Sequence, residues 1–343
     1  MFFKSDNGSG VAPEIMTALL RANEGYASSY GADDGTNRVR DLMRAAFEAP
    51  EAAVYLVATG TAANALALAL YTQPWMATFA HEGSHVAVDE CGAPEFFSGG
   101  AKVLPVAGDH GKMTPETLSQ ALTRNAHGDV HSVQRGMLSV TNLTEAGTAY
   151  SVAEVAALTK VAKAHGMPSH LDGSRLANAL VATGATPAQM TWKAGIDVVS
   201  FGGTKNGCMG VEAVVIFDTA KAWEFELRRK RAGHLFSKHR FLSAQMEAYL
   251  TDGLWLRLAA HANQMGARLA RGLAQVPGAQ LLHPVDANIL FPIFPLGTYD
   301  RATARGTRYN PYPAPPGREN ARLITSWSTT EADVDGVVAA LKP

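Results

Sequence analysis

Asp197-Val198-Val199-Ser200-Phe201-Gly202-Gly203-Thr204-Lys205-Asn206-Gly207 is the stretch on which the reading of this chain turns. Asp197–Phe201 is short, apolar and rich in β-formers, as a strand buried on both faces would be. Glycines end the strand and a lysine follows. In an open α/β sheet that lysine lies at the carboxyl edge, where such folds bind ligands. Desolvated there, its amine loses its proton more easily and attacks carbonyls to form a Schiff base. A solvent-facing lysine in a turn would carry the same local sequence.

The same strand-then-loop rhythm extends in both directions. Upstream, Ala53–Ala58, Val103–Ala107, Gly136–Thr141 and Pro168–Asp172 read as strands, and Glu212–Phe217 follows downstream. Between them, residues 37–49, 61–72, Val152–His165 and Arg175–Thr183 space their apolar residues as helices do. Thr114-Pro115-Glu116 opens another helix, with threonine as N-cap and proline at the first helical position. Alternation of this kind implies an α/β fold with a mainly parallel sheet flanked by helices. Past about residue 220 the texture changes to long helical stretches, Ala220–Ala232 and Phe241–Leu273, then candidate strands at 279–284 and 288–293. Gly306–Arg318 is a loop rich in proline and glycine. The expected division is a large domain over residues 1–250 and a smaller α+β domain over 251–343.

Composition narrows the function. Of 343 residues, 30 are Lys or Arg and 31 are Asp or Glu, a formal charge of −1. That balance argues against nucleic acid or an anionic membrane as the main partner, since both demand clustered positive charge. The run Arg228-Arg229-Lys230-Arg231 has no interleaved aromatics and reads as a solvated helix face or a subunit contact. Cys91 and Cys208 cannot alone make a disulfide framework or a thiolate zinc site, and no metal is expected. Residues 1–6 turn polar at once without an apolar leader, and no apolar stretch reaches the ~18 residues of a spanning helix, so a cytoplasmic protein is expected.

Two further loops accompany Lys205. Asp172, in Ser169–Arg175, sits after a strand, where a carboxylate can hold a pyridinium nitrogen protonated; a helix cap or turn former is the plainer alternative. Gly60-Thr61-Ala62-Ala63-Asn64 lies between a strand and a helix, and its small residues let backbone N–H groups approach a phosphate. It has neither the lysine of a P-loop nor the spacing of a dinucleotide fingerprint. Phosphate cradle, acid and amine thus follow one another, each at the end of an expected strand.

With these three in place the chain resembles the L-threonine aldolase family, most closely its bacterial low-specificity branch, which includes phenylserine aldolases. The resemblance rests on Phe3–Asn7 (FKSDN), Tyr30–Asp33 (YGAD), Gly60–Asn64 (GTAAN) and Ser84–Glu95 (SHVAVDECGAPE). It continues through His170–Arg175 (HLDGSR), Ser200–Gly207 (SFGGTKNG) and Ala321–Ser326 (ARLITS), across nearly the whole chain. It implies an aspartate-aminotransferase-like fold of type I and pyridoxal 5'-phosphate as cofactor. It also implies retro-aldol cleavage of L-threonine, L-allo-threonine or phenylserine to glycine and an aldehyde, in a homotetramer built from dimers with shared active sites. Other readings are a β-eliminating lyase or aminotransferase of the same fold, or a silent relative that binds the cofactor without turnover.

The resemblance carries over residue by residue. It implies Lys205 as the cofactor lysine, Asp172 as the pyridinium partner, and Gly60 and Thr61 as the phosphate cradle. His85 matches the histidine stacked on the cofactor ring, whose edge reaches the substrate hydroxyl. Ser5, Arg175 and Arg322 correspond to the grip on the substrate carboxylate, with Arg175 also close to the cofactor, and arginine's planar fork suits that task. The base acting on the hydroxyl is left open. Some relatives have a histidine where this chain has Glu145, and His131 has a counterpart but is equally a surface-loop histidine. Asp89 either orients His85 or touches the hydroxyl itself. Cys91 beside it is expected to be a small buried residue. In related enzymes a basic residue of a neighbouring subunit approaches the cofactor phosphate, and Arg229, Arg231 and Lys238 are the candidates.

Overall fold

The computed structural model describes residues 1–343. Seven strands form the main sheet: β1 (Ala53–Val57), β2 (Met76–His81), β3 (Lys102–Val106), β4 (Gln134–Thr141), β5 (Ser169–Gly173), β6 (Val198–Gly202) and β7 (Glu212–Ile216). Their order is β1-β7-β6-β5-β4-β2-β3. Strands β2 to β6 pair in parallel, whereas β7 runs antiparallel to both β6 and β1. The reversal at β7 has a simple cause. Only Gly203–Val211 joins it to β6, too short for the crossover that a parallel neighbour requires. The central strands β5, β6 and β7 are buried at every residue, as a sheet covered on both faces must be.

Helices begin where side chains can cap them. Asp33 accepts from the Thr36 amide, so the helix expected from residue 37 begins at Asp34 and ends at Ala46. Thr59 caps Gly60–Tyr71, and Ser151 with Glu154 forms a capping box for Val152–Ala164. The single long helix expected over Phe241–Leu273 is instead two, Arg240–Leu250 and Leu254–Leu273. Left-handed backbone at Asp252 (φ 50°) and Gly253 (φ 67°) breaks it.

A second, antiparallel sheet follows: β8 (Gln280–Leu281), β9 (Ile289–Leu290), β10 (Pro292–Pro295), β11 (Asn310–Tyr312) and β12 (Arg318–Ile324). The order is β11-β12-β10-β8, with β9 also paired to β12. The Pro/Gly-rich segment expected as loop therefore supplies β11. Leu254–Leu273 packs Met265, Leu269 and Leu273 with Val334, Val337 and Leu341 of the C-terminal helix Glu331–Leu341 in the core beside this sheet. Each such side chain contributes roughly 1.5–3 kcal/mol by burial. Phe3 belongs to the same core, and the extreme N-terminus is tied to it by backbone: Phe3 N–H donates to Arg308 O at 2.7 Å, and Ile324 N–H to Phe3 O at 2.9 Å. No helix is long and apolar enough to cross a membrane.

Candidate active site

Sheet polarity decides which side chains can meet. Strands β2, β4, β5 and β6 share a direction, and two antiparallel steps make β1 share it too. Their carboxyl ends therefore lie at one edge. Past that edge come Gly60 (after β1), His85 (after β2), Glu145 (after β4), Arg175 (after β5) and Lys205 (after β6), with Asp172 on β5 itself and Glu212 opening β7. Lys205 is half-buried on the short turn Thr204–Asn206 and takes part in no ion pair. Its charge acts on Asp6, Asp172, Glu212 and His85, which places its ammonium among them.

Asp172 is fully buried and its oxygens have different partners. The Ser174 hydroxyl and amide donate to Oδ1 at 2.7 and 3.0 Å, and Asn64 Nδ2 donates to Oδ2 at 3.1 Å. Burial alone would raise its pKa, but the Ser174 bonds and the Lys205 charge outweigh it and hold the carboxyl below its usual range. Beneath it, His170 on the same strand bridges Ser139 of β4 and Ser200 of β6 at 2.9 and 3.0 Å. Burial pushes His170 down to about 4, so it stays a neutral cross-strand tie.

His85 is held from behind. Its Nδ1 lies 2.8 Å from Glu90 Oε1, and Asn64 Nδ2 donates to the same oxygen at 2.8 Å. The bond to Glu90 raises the pKa of His85, and burial raises that of Glu90. The expectation that Asp89 orients His85 is thus corrected: Asp89 is exposed, and the neighbouring Glu90 turns inward. Cys91 is also corrected from buried to exposed, since it sits in a left-handed turn (φ 51°) with Gly92.

On the phosphate side, the amides of Gly60 and Thr61 head a twelve-residue helix and have no acceptor in the protein. A Cβ on Gly60 would meet nothing nearer than Ser174 Oγ at 3.8 Å, so the helix start is uncrowded on that side. Arg229 is buried, with Nη2 on the Glu226 carboxylate at 2.9 Å and Nη1 on Leu56 O at 3.2 Å. It is committed within its own subunit. Arg231 and Lys238 are exposed.

The two arginines differ. Arg175 makes a buried fork-to-fork pair with Asp6, Nε to Oδ2 at 2.7 Å and Nη2 to Oδ1 at 3.0 Å. Asn288 Nδ2 donates to Asp6 as well, at 3.2 Å. Despite its burial, the Arg175 charge and hydrogen bonds hold the Asp6 carboxyl below the usual range. Arg322, on β12, has no such partner: its Nε is buried without any acceptor. Asn310, its register partner on β11, donates to Lys4 O at 3.3 Å, which brings Arg322 alongside the Lys4-Ser5 segment. Ser5 Oγ accepts from Asn7 N–H at 3.2 Å and caps the turn Asp6–Gly8.

His131 does not join this site. It is exposed in the loop before β4, at the amino edge of the sheet, and the eight residues of β4 span about 25 Å at ~3.3 Å each. Within its own chain it is a surface-loop histidine. The residues that sequence reasoning did not single out are Asp6, Asn64, Glu90 and Glu212. Glu212, fully buried, accepts from Gly203 N–H at 2.8 Å on the Lys205 turn, and burial pushes it up to about 7. All but Glu212 lie inside the quoted family stretches, one to three places from a residue that was singled out.

These donors fit pyridoxal 5'-phosphate. A free amine suits its aldehyde, an ionised Asp172 its ring nitrogen, two unpaired amides its phosphate and a flat imidazole its ring face. Comparison with known proteins agrees. A family model described as beta-eliminating lyase matches residues 3–294. A low-specificity L-threonine aldolase of a Pseudomonas species is 40% identical over 99% of this chain and 96% of its own length. That of Pseudomonas aeruginosa is 42% identical over 95% and 93%. Among solved structures, a Leishmania major threonine aldolase superposes with a TM-score of 0.93 at 31% identity, covering 99% of this chain and 98% of that one.

Proposed function

Since the chain belongs to the L-threonine aldolase family, within the beta-eliminating lyases, we propose that the site described above performs the aldol cleavage. The protein is a pyridoxal-phosphate-dependent carbon–carbon lyase that cleaves L-threonine to glycine and acetaldehyde. L-allo-threonine and phenylserine are further substrates in this reading. The observation that carries it is the meeting of a half-buried Lys205, free of any ion pair, with a buried, ionised Asp172 at one sheet edge.

Pyridoxal phosphate, when bound, supplies the electron sink for the broken Cα–Cβ bond. The chain does the rest. Lys205 would hold the cofactor through its amine. Asp172 keeps the ring nitrogen protonated, and the Gly60 and Thr61 amides hold the phosphate. His85, held from behind by Glu90, would cover the ring face and offer its exposed edge to the substrate hydroxyl. Arg322, helped by Ser5 and the remaining Nη1 of Arg175, holds the carboxylate. That grip would fix the orientation of the substrate about Cα and so select the bond that breaks.

We further infer a homotetramer of dimers with shared active sites, located in the cytoplasm. Exposed Tyr26, Phe96 and Trp223 and the absence of a disulfide favour these readings. With Arg229 committed internally, Arg231 or Lys238 is the cation lent to the neighbouring phosphate. The division at residues 250/251 is proposed on the helix break at Thr251–Gly253, with residues 1–3 lent to the second sheet.

The test is product analysis with L-threonine, L-allo-threonine and phenylserine, using the D-enantiomers as controls. Glycine and aldehyde in equal amounts support the reading. Release of 2-oxobutyrate from L-threonine identifies a β-eliminating lyase, accumulation of pyridoxamine phosphate an aminotransferase, and no turnover a silent relative.

A further inference from the structure

Asn64 lies between two buried carboxylates. Its Nδ2 donates to Glu90 Oε1 at 2.8 Å and to Asp172 Oδ2 at 3.1 Å, one proton to each. The orientation of the amide is chemically required, because its oxygen between two carboxylates would leave three acceptors and no donor. Glu90 Oε1 therefore already accepts from one side when His85 Nδ1 meets it from the other at 2.8 Å. An ionised Glu90 can only accept, so the imidazole proton sits on Nδ1. Nε2 is then left as a lone-pair acceptor on the opposite edge, and the His85 side chain is 28% exposed while that of Glu90 is 0%.

We propose that Glu90 is the positioning residue that fixes the Nδ1–H form of His85, so that Nε2 accepts the proton of the substrate β-hydroxyl, and that Asn64 ties this pair to Asp172. The inference rests on the aldolase reading above. In the cleavage step the hydroxyl O–H bond breaks and its proton goes to Nε2. The O–H electron pair becomes the aldehyde carbonyl as the Cα–Cβ pair leaves toward the cofactor. The imidazolium so formed is neutralised by Glu90, and its partly exposed ring later returns the proton to water. One hydrogen-bonded chain thus aligns the acid that holds the ring nitrogen and the histidine on the ring face. Besides Glu90, the charges facing His85 are Lys205, which opposes a positive imidazolium, and Asp172 and Glu145, which favour it.

Two measurements test this. The first is nitrogen NMR of the cofactor-loaded protein labelled in histidine, with the His85 signals assigned by their loss in His85→Phe. A protonated Nδ1 and bare Nε2 near neutral pH are expected; protonation at Nε2 with Nδ1 bare overturns the proposal. The second is Glu90→Gln, which keeps the accepting oxygen and the volume but removes the charge. Without that charge His85 is less basic. The acid limb of kcat/KM for L-threonine is then expected to move about one unit toward lower pH, with kcat falling about tenfold. Tm and the borohydride-sensitive absorbance band should stay unchanged. An unmoved acid limb overturns the proposal even if activity falls, since a merely structural glutamate would lower rate without shifting the limb. If the wild type releases no glycine from L-threonine, the aldolase reading fails instead, and the NMR result still decides the tautomer.

Discussion

Two guanidinium groups flank the same site in opposite condition. Arg175 on the main-sheet side is buried and matched by Asp6, fork to fork, with Asn288 completing the carboxylate's partners. Arg322 on the second sheet has a buried Nε and no partner. A charge removed from water is tolerated only when paired, so the buried Arg175 is balanced by Asp6, whereas the half-buried Arg322 keeps part of its guanidinium in solvent and has its fork uncommitted. The difference separates stability from function. Arg175 and Asp6 pin the N-terminal segment to the main sheet, and in the function proposed above Arg322 is the principal receptor for the substrate carboxylate. The grip expected from sequence, Ser5 with Arg175 and Arg322, thus has one arginine already paired within the protein and one without a partner.

The largest expected effect comes from removing the unmatched charge. Arg322→Leu is expected to lower kcat/KM for L-threonine about a thousandfold, since the substrate carboxylate would lose its only uncommitted guanidinium fork and keep only Ser5 and the Arg175 Nη1. Thermal unfolding should leave Tm where it is, since no native partner is orphaned. A fall in Tm with little loss of activity would reverse the roles of the two arginines.

Asp6→Ala breaks the matched pair and should show the other pattern. Leaving Arg175 buried and unpaired is expected to cost about 3–5 kcal/mol in urea unfolding, with part of the activity lost as Arg175 is freed. A smaller effect is expected from Arg322→Lys, which keeps charge but loses the planar fork. KM should rise and kcat fall together, by about tenfold in kcat/KM, with slow formation of pyridoxamine phosphate as Cα–H takes the perpendicular position. Unchanged KM and kcat would make Arg322 a structural arginine.

The smallest effect is in pH. The Asp6 carboxyl is depressed in the folded state, so it releases its proton more readily there than in the unfolded chain. Its contribution is present in full above the ordinary carboxylate range and is lost as pH falls through the folded value. Urea unfolding followed from pH 7 to 3 should show the wild type losing more stability than Asp6→Asn. Parallel curves would mean that the pair is not linked to protons.

Much of the main sheet was legible because strand ends and chemistry coincide there. Apolar runs give way to glycines, and Gly60, Asp172 and Lys205 stand at or just past those ends. Partner choice was less legible. Asp89 and Glu90 are adjacent carboxylates, and only the turn through Cys91 and Gly92 decides which one points inward. Ser5 and Asp6 pose the same ambiguity, resolved by Arg175 from 169 positions away. The break at Asp252–Gly253 was hidden because apolar spacing continues across it. The C-terminal helix Glu331–Leu341 passed without notice, although Thr330 and Asp333 form its capping box. The short second-sheet strands carry too few residues for period-two alternation to stand out.

The most direct measurement is to load the protein with pyridoxal phosphate, reduce it with borohydride, digest it and locate the modified lysine by mass spectrometry. The tag is expected on Lys205 and on no other residue, with Lys205→Ala folded but untagged and inactive. A tag on another lysine, or normal cleavage of L-threonine by Lys205→Ala, would contradict the assignment on which the whole site is built.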